Sequence, residues 1–141
     1  MKNFTTCIWV LILFSASTSV FAQSPVKRVL PFSNYRTSGS LVFVSGQIGK
    51  NASIVDKNSL TDEVHTCIKN VSSVLNEAGL SLKNTVSVTV YLKNIDQFNE
   101  FNQVYLKYFK APFPTRTCVI VKDLVQNANI EISVIASSIL N

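Results

Sequence analysis

Arg116 has the side chain best suited to bind a small acidic molecule. It follows Pro112 and Pro114 at the start of a strand-like segment, and it is one of only three arginines in a chain that otherwise uses lysine. Prolines fix the approach of the chain, and a planar guanidinium binds a carboxylate through two parallel hydrogen bonds. Arg116 therefore predicts a carboxylate-binding site at one end of a sheet, although a surface ion pair fits its spacing equally well.

Cys118 and Glu131 are two further candidates. Cys118 lies two residues after Arg116, so the period of a strand places both side chains on one face. Glu131 lies between two isoleucines on what we expect to be the neighbouring strand. A carboxylate in apolar surroundings is costly unless it is paired or solvated, which favours a residue at a strand edge or facing a cavity. Together the three side chains could bind an anion, line its pocket and orient a water molecule.

The composition argues against several other classes of site. His65 is the only histidine, and Cys67 and Cys118 are the only cysteines after residue 7. A zinc site with several histidine ligands, a Cys-His protease and a Ser-His-Asp triad would therefore lack partners. We expect His65 on a helix surface. The net charge of +5 comes from scattered basic residues, without the stripe of basic and aromatic side chains that a nucleic-acid groove requires.

The first 22 residues have the pattern of an export signal. Lys2 provides a positive start, residues 7–14 are an unbroken apolar stretch, and residues 20–22 offer small side chains to a signal peptidase. We therefore expect cleavage after Ala22, a mature domain of residues 23–141, and a location in the periplasm or outside the cell. The chain is 47% hydrophobic, and after the first two dozen positions it has no run of 18 apolar residues that could span a membrane. The mature chain should therefore form one compact soluble domain.

Hydrophobic periodicity predicts strands and two helices in the mature chain. Apolar residues at spacings of three and four indicate a helix over 61–79, with Thr61 as its cap and Gly79 as its terminator, and a second helix over 95–108. Alternation and β-branched residues predict the strands, of which the first two should form a hairpin. The predicted strands are 26–30, 41–45, 85–92, 117–121 and 130–136, and a short additional strand would fit 53–55.

This order predicts an α+β domain in which two helices cover one face of a mixed sheet. Residues 117–121 and 130–135 carry apolar side chains at both alternating positions, so the second face also needs cover. We infer a homo-oligomer whose sheets line an apolar interior. Cys67 lies on the apolar side of its helix, and we expect Cys118 to point away from the helices. The two thiols would then stay unlinked on opposite sides of the sheet.

Five blocks of the chain read FVSGQI at 43–48, EAGL at 77–80, FNEFNQVY at 98–105, PTRTCV at 114–119 and IEI at 130–132. They occur with the order and spacing seen in the RidA (YjgF/YER057c/UK114) family, which the chain resembles over residues 26–136. The resemblance implies a chorismate-mutase-like fold, a homotrimer whose sheets line a central barrel, and sites in the clefts between subunits. It also implies hydrolysis of 2-imino acids, such as 2-iminopropanoate and 2-iminobutanoate, to 2-keto acids and ammonia, without a metal or an organic cofactor.

The resemblance also implies roles for individual residues. Arg116 matches the arginine that binds the substrate carboxylate, and Glu131 matches the glutamate that positions the attacking water. This assignment fits what a guanidinium and a carboxylate can do as an anion-binding group and a general base. The remaining matches line the pocket or lie near it, and they are Cys118, Ser45, Gly46 and the helix residue Asn102.

Phe32 is the position at which the chain departs from the family pattern. Residues 30–33 read Leu-Pro-Phe-Ser where the family has Gly-Pro-Tyr-Ser, so the hydroxyl of the usual tyrosine is missing from the expected pocket. The alternative to an imine deaminase is a family member without catalytic activity that binds small carboxylates or acts as an interaction protein. Ribonuclease activity is a third hypothesis, which a chain with one histidine and no basic stripe does not favour.

Overall fold

A computed structural model describes residues 30–50 and 59–139. Within these residues, strands and helices follow the predicted α+β order, and Thr85–Leu92 has the predicted bounds. The export signal and the predicted strand at 53–55 lie outside the described residues. The strands are β1 Tyr35–Ser38, β2 Leu41–Ile48, β3 Thr85–Leu92, β4 Thr115–Ile120 and β5 Ile130–Ser137, and the helices are α1 Leu60–Glu77 and α2 Phe98–Tyr108.

The hairpin at the start of the sheet differs from the predicted one. The strand that pairs with β2 is Tyr35–Ser38, and Leu30, the only described residue of the predicted strand 26–30, is not in a strand. Gly39 at a φ of +57° forms the tight turn between β1 and β2. The sequence-based prediction missed β1 because an exposed edge strand does not need the apolar residues that identify a buried strand.

The five strands form one mixed sheet in the order β1-β2-β5-β3-β4. All neighbours are antiparallel except β3 and β4, which run parallel and are connected through α2. A parallel pair needs a crossover of this kind, because a tight turn cannot join the two strands. The crossover leaves β4 at one edge of the sheet and places α2 beside it.

Both helices pack on the same face of the sheet, which confirms the predicted layering. The apolar face of α1, including Val64, Ile68 and Leu75, is fully buried against β2 and β5. Ser59, and not Thr61, caps α1, since the Ser59 Oγ accepts from the Asp62 amide at 3.2 Å. Thr61 instead donates its hydroxyl to Glu100 Oε1 at 2.6 Å and so links α1 to α2.

A hydrogen bond between two polar side chains also joins the helices. His65 Nδ1 and the Tyr108 hydroxyl are 2.7 Å apart, and the two rings meet edge to face. His65 is half-buried, so it is a helix-packing residue and not the free surface histidine that the sequence suggested. No helix in the described ranges is long and apolar enough to cross a membrane.

The second face of the sheet is uncovered in the single chain and has a mixed character. Phe43 and Val119 are 43% and 42% exposed there, and Ile135 is half-buried. Hydroxyl side chains alternate with these apolar residues, so the predicted apolar lining is only partly present. The hydroxyl residues on this face include Ser87, Thr89 and Ser133.

Candidate functional site

Arg116 lies on edge strand β4 and points toward the helices. It is aligned with Val88, a core residue of β3, so both side chains share the helical face of the sheet. The guanidinium carbon lies 5.8, 5.2 and 4.7 Å from the ring centroids of Phe98, Phe101 and Tyr105 on α2. Aromatic faces attract a guanidinium and hold its position without neutralising it.

The Arg116 charge is not compensated by a described carboxylate. Lys93 and Asp123, 2.9 Å apart, form the only ion pair within residues 30–50 and 59–139. The surface ion pair that was the alternative for Arg116 is therefore absent from this part of the chain. Its guanidinium keeps its donors free for an external anion.

A cleft of about 410 Å³ opens beside the guanidinium between α2 and β4. Its wall is mostly apolar, and its polar side chains are Arg116 and Asn102. The cleft therefore suits a small anion with an apolar substituent. Asn102 and Arg116 line the same cleft, and the full lining is Asn102, Tyr105, Leu106, Phe113, Pro114 and Arg116.

Cys118 shares the face of Arg116, but that face is the helical one. Cys118 is aligned with Val90, is half-buried and packs against the core, so the prediction that it points away from the helices is wrong. Because β4 carries apolar residues at both alternating positions, its sequence alone does not show which of them face the helices. The pairing of β4 with β3 shows that Cys118 does. Cys67 and Cys118 are both free thiols, as predicted. Burial raises the pKa of Cys118, and the Arg116 charge opposes part of that rise.

Glu131 lies on the other face of the sheet. On β5 it is aligned with Ile48 of β2 on one side and with Tyr91 of β3 on the other. The sequence suggested that Glu131 lies on the strand next to that of Arg116. This prediction is wrong, because strand β3 separates β5 from β4. Within one chain the two side chains occupy opposite faces of the sheet.

A β-bulge next to Glu131 contains Ser45 and Gly46. The pairing of β2 with β5 shifts between Val44 and Gln47, so β2 has one extra residue at this point. A Cβ on Gly46 would collide with the carboxyl group of Glu131. Glycine at this position therefore leaves the space in which the carboxylate lies. Bulges of this kind occur next to active sites, where they redirect side chains.

Ser45 connects the bulge to the segment that contains Phe32. Its hydroxyl donates to the Ser33 carbonyl at 2.7 Å, and its amide donates to the Asn34 carbonyl at 2.9 Å. Phe32 is 58% exposed and lies on the surface beside this contact. The predicted site residues thus form two clusters, which we name the Arg116 cluster (Arg116, Cys118, Asn102) and the Glu131 cluster (Glu131, Ser45, Gly46, Phe32).

Helix α1 forms hydrogen bonds with β2 next to the Glu131 cluster. The Cys67 thiol donates to the Gln47 carbonyl at 3.0 Å, and the Asn70 amide donates to the Ile48 carbonyl at 2.9 Å. Burial raises the pKa of Cys67, so its thiol stays protonated and remains a donor. The two contacts fix the end of β2 just after the bulge.

Glu63 is a positioning residue that the sequence analysis did not identify. Its side chain is fully buried on α1, and its carboxylate accepts from the Asn129 backbone amide at 2.6 Å and from the Asn129 side chain at 2.8 Å. These bonds anchor the start of β5 directly before Glu131. The available signal was an acidic residue next to Val64 on the apolar side of α1.

The fold and the two clusters define an α+β domain with a small cleft beside a cationic side chain, and comparisons with known proteins agree with the fold. The family model described as Endoribonuclease L-PSP matches residues 22–138. A RutC family protein of Pyrococcus horikoshii is 35% identical over 120 residues, which cover 83% of this chain and 94% of the relative. The chain belongs to this family, which is the YjgF/RidA family that the sequence blocks indicated.

Solved structures show the same fold. A putative endoribonuclease of Thermotoga maritima superposes with a TM-score of 0.74 at 33% identity, covering 81% of this chain and 91% of that one. Escherichia coli TdcF, solved with bound serine, gives a TM-score of 0.72 at 30% identity, covering 79% of this chain and 91% of that one. The α+β fold predicted from the sequence is thereby confirmed.

Proposed function

We propose that the protein hydrolyses reactive 2-imino acids to 2-keto acids and ammonia. The observation that carries the proposal is the Arg116 guanidinium, which lies over three aromatic rings at the wall of a small apolar cleft without a described carboxylate partner. A 2-imino acid supplies both the carboxylate that this cation lacks and a short apolar side chain for the cleft. TdcF was solved with bound serine, which is also a small molecule with a carboxylate.

The reaction needs a bound water and a proton acceptor in addition to the anion-binding group. In the proposed mechanism Arg116 binds the substrate carboxylate and presents the C=N carbon to a water molecule. Glu131 accepts a proton as the water oxygen bonds to that carbon and the C=N electron pair moves to nitrogen, and Glu131 returns that proton to the nitrogen to give the carbinolamine. The hydroxyl proton of the carbinolamine is then transferred to the amino nitrogen by the same carboxylate, the C–N bond breaks, and ammonia leaves to give the 2-keto acid.

One chain cannot bring these groups together, because Arg116 and Glu131 lie on opposite faces of its sheet. We propose that a homotrimer builds each site from the Arg116 cluster of one copy and the Glu131 cluster of the next. The uncovered face, with exposed Phe43 and Val119, supports burial against other copies. A ring of heterologous contacts provides one such composite site at each interface.

The first test measures decay of freshly generated 2-iminobutanoate. Arg116→Ala should lower kcat/KM by roughly 100-fold or more, since a desolvated charge-assisted contact contributes about 3 kcal/mol. Arg116→Lys should also fail, because an ammonium cannot reproduce the guanidinium fork. Arg36→Ala is the matched control, as Arg36 is an exposed arginine on the opposite edge strand. Equal activity in all variants would contradict the proposal.

A complementation experiment tests the composite site. Arg116→Ala and Glu131→Gln should each be inactive, and mixed trimers of the two should regain up to about a quarter of wild-type activity, because a quarter of random interfaces have both intact groups. Glu131→Gln alone should still bind 2-oxobutanoate through Arg116. No recovery in mixed trimers of confirmed composition would contradict a site shared between copies.

The same assay separates an enzyme from a binding protein. If the wild-type protein binds 2-oxobutanoate but does not accelerate imine decay, it belongs with family members that only bind small carboxylates. Phe32 lacks the hydroxyl of the tyrosine that the family pattern has at this position, which makes this the strongest competing function. Hydrolysis at rates that depend on Glu131 would exclude it.

We further propose that the domain acts after export. Lys2 and the apolar stretch 7–14 support a signal that is cleaved after Ala22. Amino-terminal sequencing of the protein recovered outside the cytoplasm should then begin at Gln23. A cytoplasmic protein that keeps Met1 would contradict this proposal without affecting the proposed chemistry.

A further inference from the structure

Leu106 and Phe113 are exposed apolar residues in the wall of the cleft beside Arg116. They are 52% and 54% exposed, and neither belongs to the hydrophobic core of the described chain. Both line the cleft together with Pro114 and Arg116. A single exposed apolar side chain on a protein surface needs no explanation. Two that line one cleft next to a cation indicate a surface for the apolar part of a ligand.

Leu106 lies on a part of α2 that packing does not require to be apolar. The buried residues of this helix are Phe101, Val104 and Tyr105, and Lys107, which follows Leu106, is exposed. The helix would pack on the sheet equally well with a polar residue at position 106. Leu106 therefore contributes its apolar side chain to the cleft and not to the core.

The position of Leu106 along α2 suits the side chain of a ligand held by Arg116. The rings that surround the Arg116 guanidinium belong to Phe98, Phe101 and Tyr105, and Leu106 follows them toward the C-terminal end of the helix. Leu106 also comes one turn after Asn102, which is about 6 Å along the helix axis. A ligand whose carboxylate binds Arg116 can therefore extend its apolar part along α2 onto Leu106.

Phe113 adds a large apolar surface from the segment that leads into β4. An aromatic ring offers more contact area than any aliphatic side chain. Pro114 follows directly, and a residue before proline is restricted to extended backbone conformations. Because the Phe113 backbone is restricted before a ligand arrives, less conformational freedom is lost when the ligand packs against the ring.

The cleft is larger than the smallest 2-imino acids require. Its volume of about 410 Å³ lies in the range of pockets that hold ligands larger than 2-iminobutanoate. The ethyl group of 2-iminobutanoate would leave part of the apolar wall in contact with water. A branched side chain of four carbons would cover more of this wall, and each additional buried carbon strengthens binding.

We propose that Leu106 and Phe113 are specificity-determining residues that contact the substrate side chain and favour 2-imino acids with a branched four-carbon side chain over those with an ethyl group. This inference rests on the proposed function, because it takes the carboxylate of a 2-imino acid as the group that Arg116 binds. Two additional buried carbons correspond to a preference of roughly tenfold.

The first test compares the binding of two stable keto acids by calorimetry. The wild-type protein should bind 4-methyl-2-oxopentanoate roughly tenfold more tightly than 2-oxobutanoate. Leu106→Ala and Phe113→Ala should each reduce this preference to about twofold or less, mainly by weakening the binding of the larger acid. Ile95→Ala is the matched control, since Ile95 is 62% exposed and is not among the residues that line the cleft. It should leave both affinities unchanged.

Steady-state kinetics with the imines of leucine and 2-aminobutyrate provide a second measurement. A contact to the substrate side chain is present in both the substrate complex and the transition state, so its loss raises KM more than it changes kcat. Leu106→Ala should therefore raise KM for the leucine-derived imine roughly tenfold and leave kcat within about twofold of wild type. KM for 2-iminobutanoate should change by less than about twofold.

The outcomes separate this inference from the proposed function. A wild-type protein that binds both keto acids equally, or Leu106→Ala and Phe113→Ala variants that weaken both to the same extent, would overturn the inference. An altered mass of either variant in light scattering would show that the two side chains serve contacts between copies, which also overturns it. If Arg116→Ala binds both keto acids normally, the proposed function itself fails.

Discussion

The backbone of Gly46 lies against the carboxyl group of Glu131, so closely that no side chain fits between them. This relationship joins two residues on neighbouring strands, one in a β-bulge and one in a regular strand. The bulge brings the β2 backbone to the carboxylate, and the missing Cβ allows the approach. The position of the proposed general base therefore depends on a residue that has no functional group.

Gly46→Ala should reduce imine hydrolysis without unfolding the protein. The added methyl group displaces the flexible end of Glu131, and a displacement of about 1 Å can cost roughly 100-fold in rate. Binding of 2-oxobutanoate should persist, because the Arg116 side chain that binds its carboxylate is unchanged.

Gly39→Ala is the matched control for this substitution. Gly39 has a φ of +57° and open space around it, so alanine should lower the free energy of unfolding by about 1 kcal/mol and leave turnover unchanged. Unfolding in urea and the imine assay measure both effects. Full turnover in Gly46→Ala would show that this placement of Glu131 is not needed.

The sequence predicts individual elements better than their arrangement. Strand β3 has the predicted bounds because Thr85–Leu92 alternates polar and apolar residues throughout. Strand β1 was missed because its residues are mostly exposed, and the strand was predicted in the neighbouring apolar segment 26–30 instead. Local periodicity thus identifies strands that carry apolar residues, including the edge strand β4, and overlooks a mostly polar edge strand such as β1.

The site required information that local patterns do not contain. All predicted site residues lie in one of the two clusters, but the insertion of β3 between β4 and β5 separates Arg116 from Glu131. The long-range pairing of β4 with β3 was also needed to show that Cys118 faces the helices, because a register shift of one residue would place it on the other face of the sheet. Residue types identified Arg116, Cys118 and Glu131, the family resemblance added the other residues, and only the strand register showed which face of the sheet each strand residue occupies.

Phe32→Tyr should raise the rate of imine hydrolysis by up to about tenfold, the effect of one neutral hydrogen bond. Phe32 is largely exposed, so the added hydroxyl meets water in the single chain and stability should not change. Kinetics with several 2-imino acids measure the effect. A rate that falls instead would indicate a pocket adapted to a more apolar substrate, and no change would show that position 32 does not contact the ligand.

Cys118 should be alkylated slowly at neutral pH. Burial raises its pKa above the ordinary value of 9.0, and the reactive thiolate therefore becomes abundant only at higher pH. The reaction with iodoacetamide should be slower than that of a free thiol at pH 8 and should accelerate as the pH rises through the raised pKa.

Arg116→Ala should slow the alkylation further, because the nearby positive charge favours the thiolate. Peptide mapping by mass spectrometry distinguishes Cys118 from Cys67, which is buried and serves as the unreactive internal control. Faster alkylation in Arg116→Ala would contradict the electrostatic coupling of the two residues.

Glu63→Ala should destabilise the fold more than any surface substitution. It leaves the half-buried Asn129 amide groups without their acceptor, which costs roughly 2 kcal/mol in the free energy of unfolding. Glu63→Gln keeps one acceptor oxygen and should cost less. Glu77→Ala, at the exposed end of α1, should stay within about 0.5 kcal/mol of wild type. Urea unfolding measures all three, and equal stabilities would contradict the anchoring role.

The separation of the two clusters along the chain affects the order in which they form. The Arg116 cluster comes from α2 and β4, a contiguous stretch of chain, whereas Glu131 must meet a bulge more than half the chain away. Contacts between distant positions require the closure of longer loops and form later in folding. We therefore expect the pairing of β2 with β5, which places Glu131 beside the bulge, to form later in folding than the contacts of the Arg116 cluster.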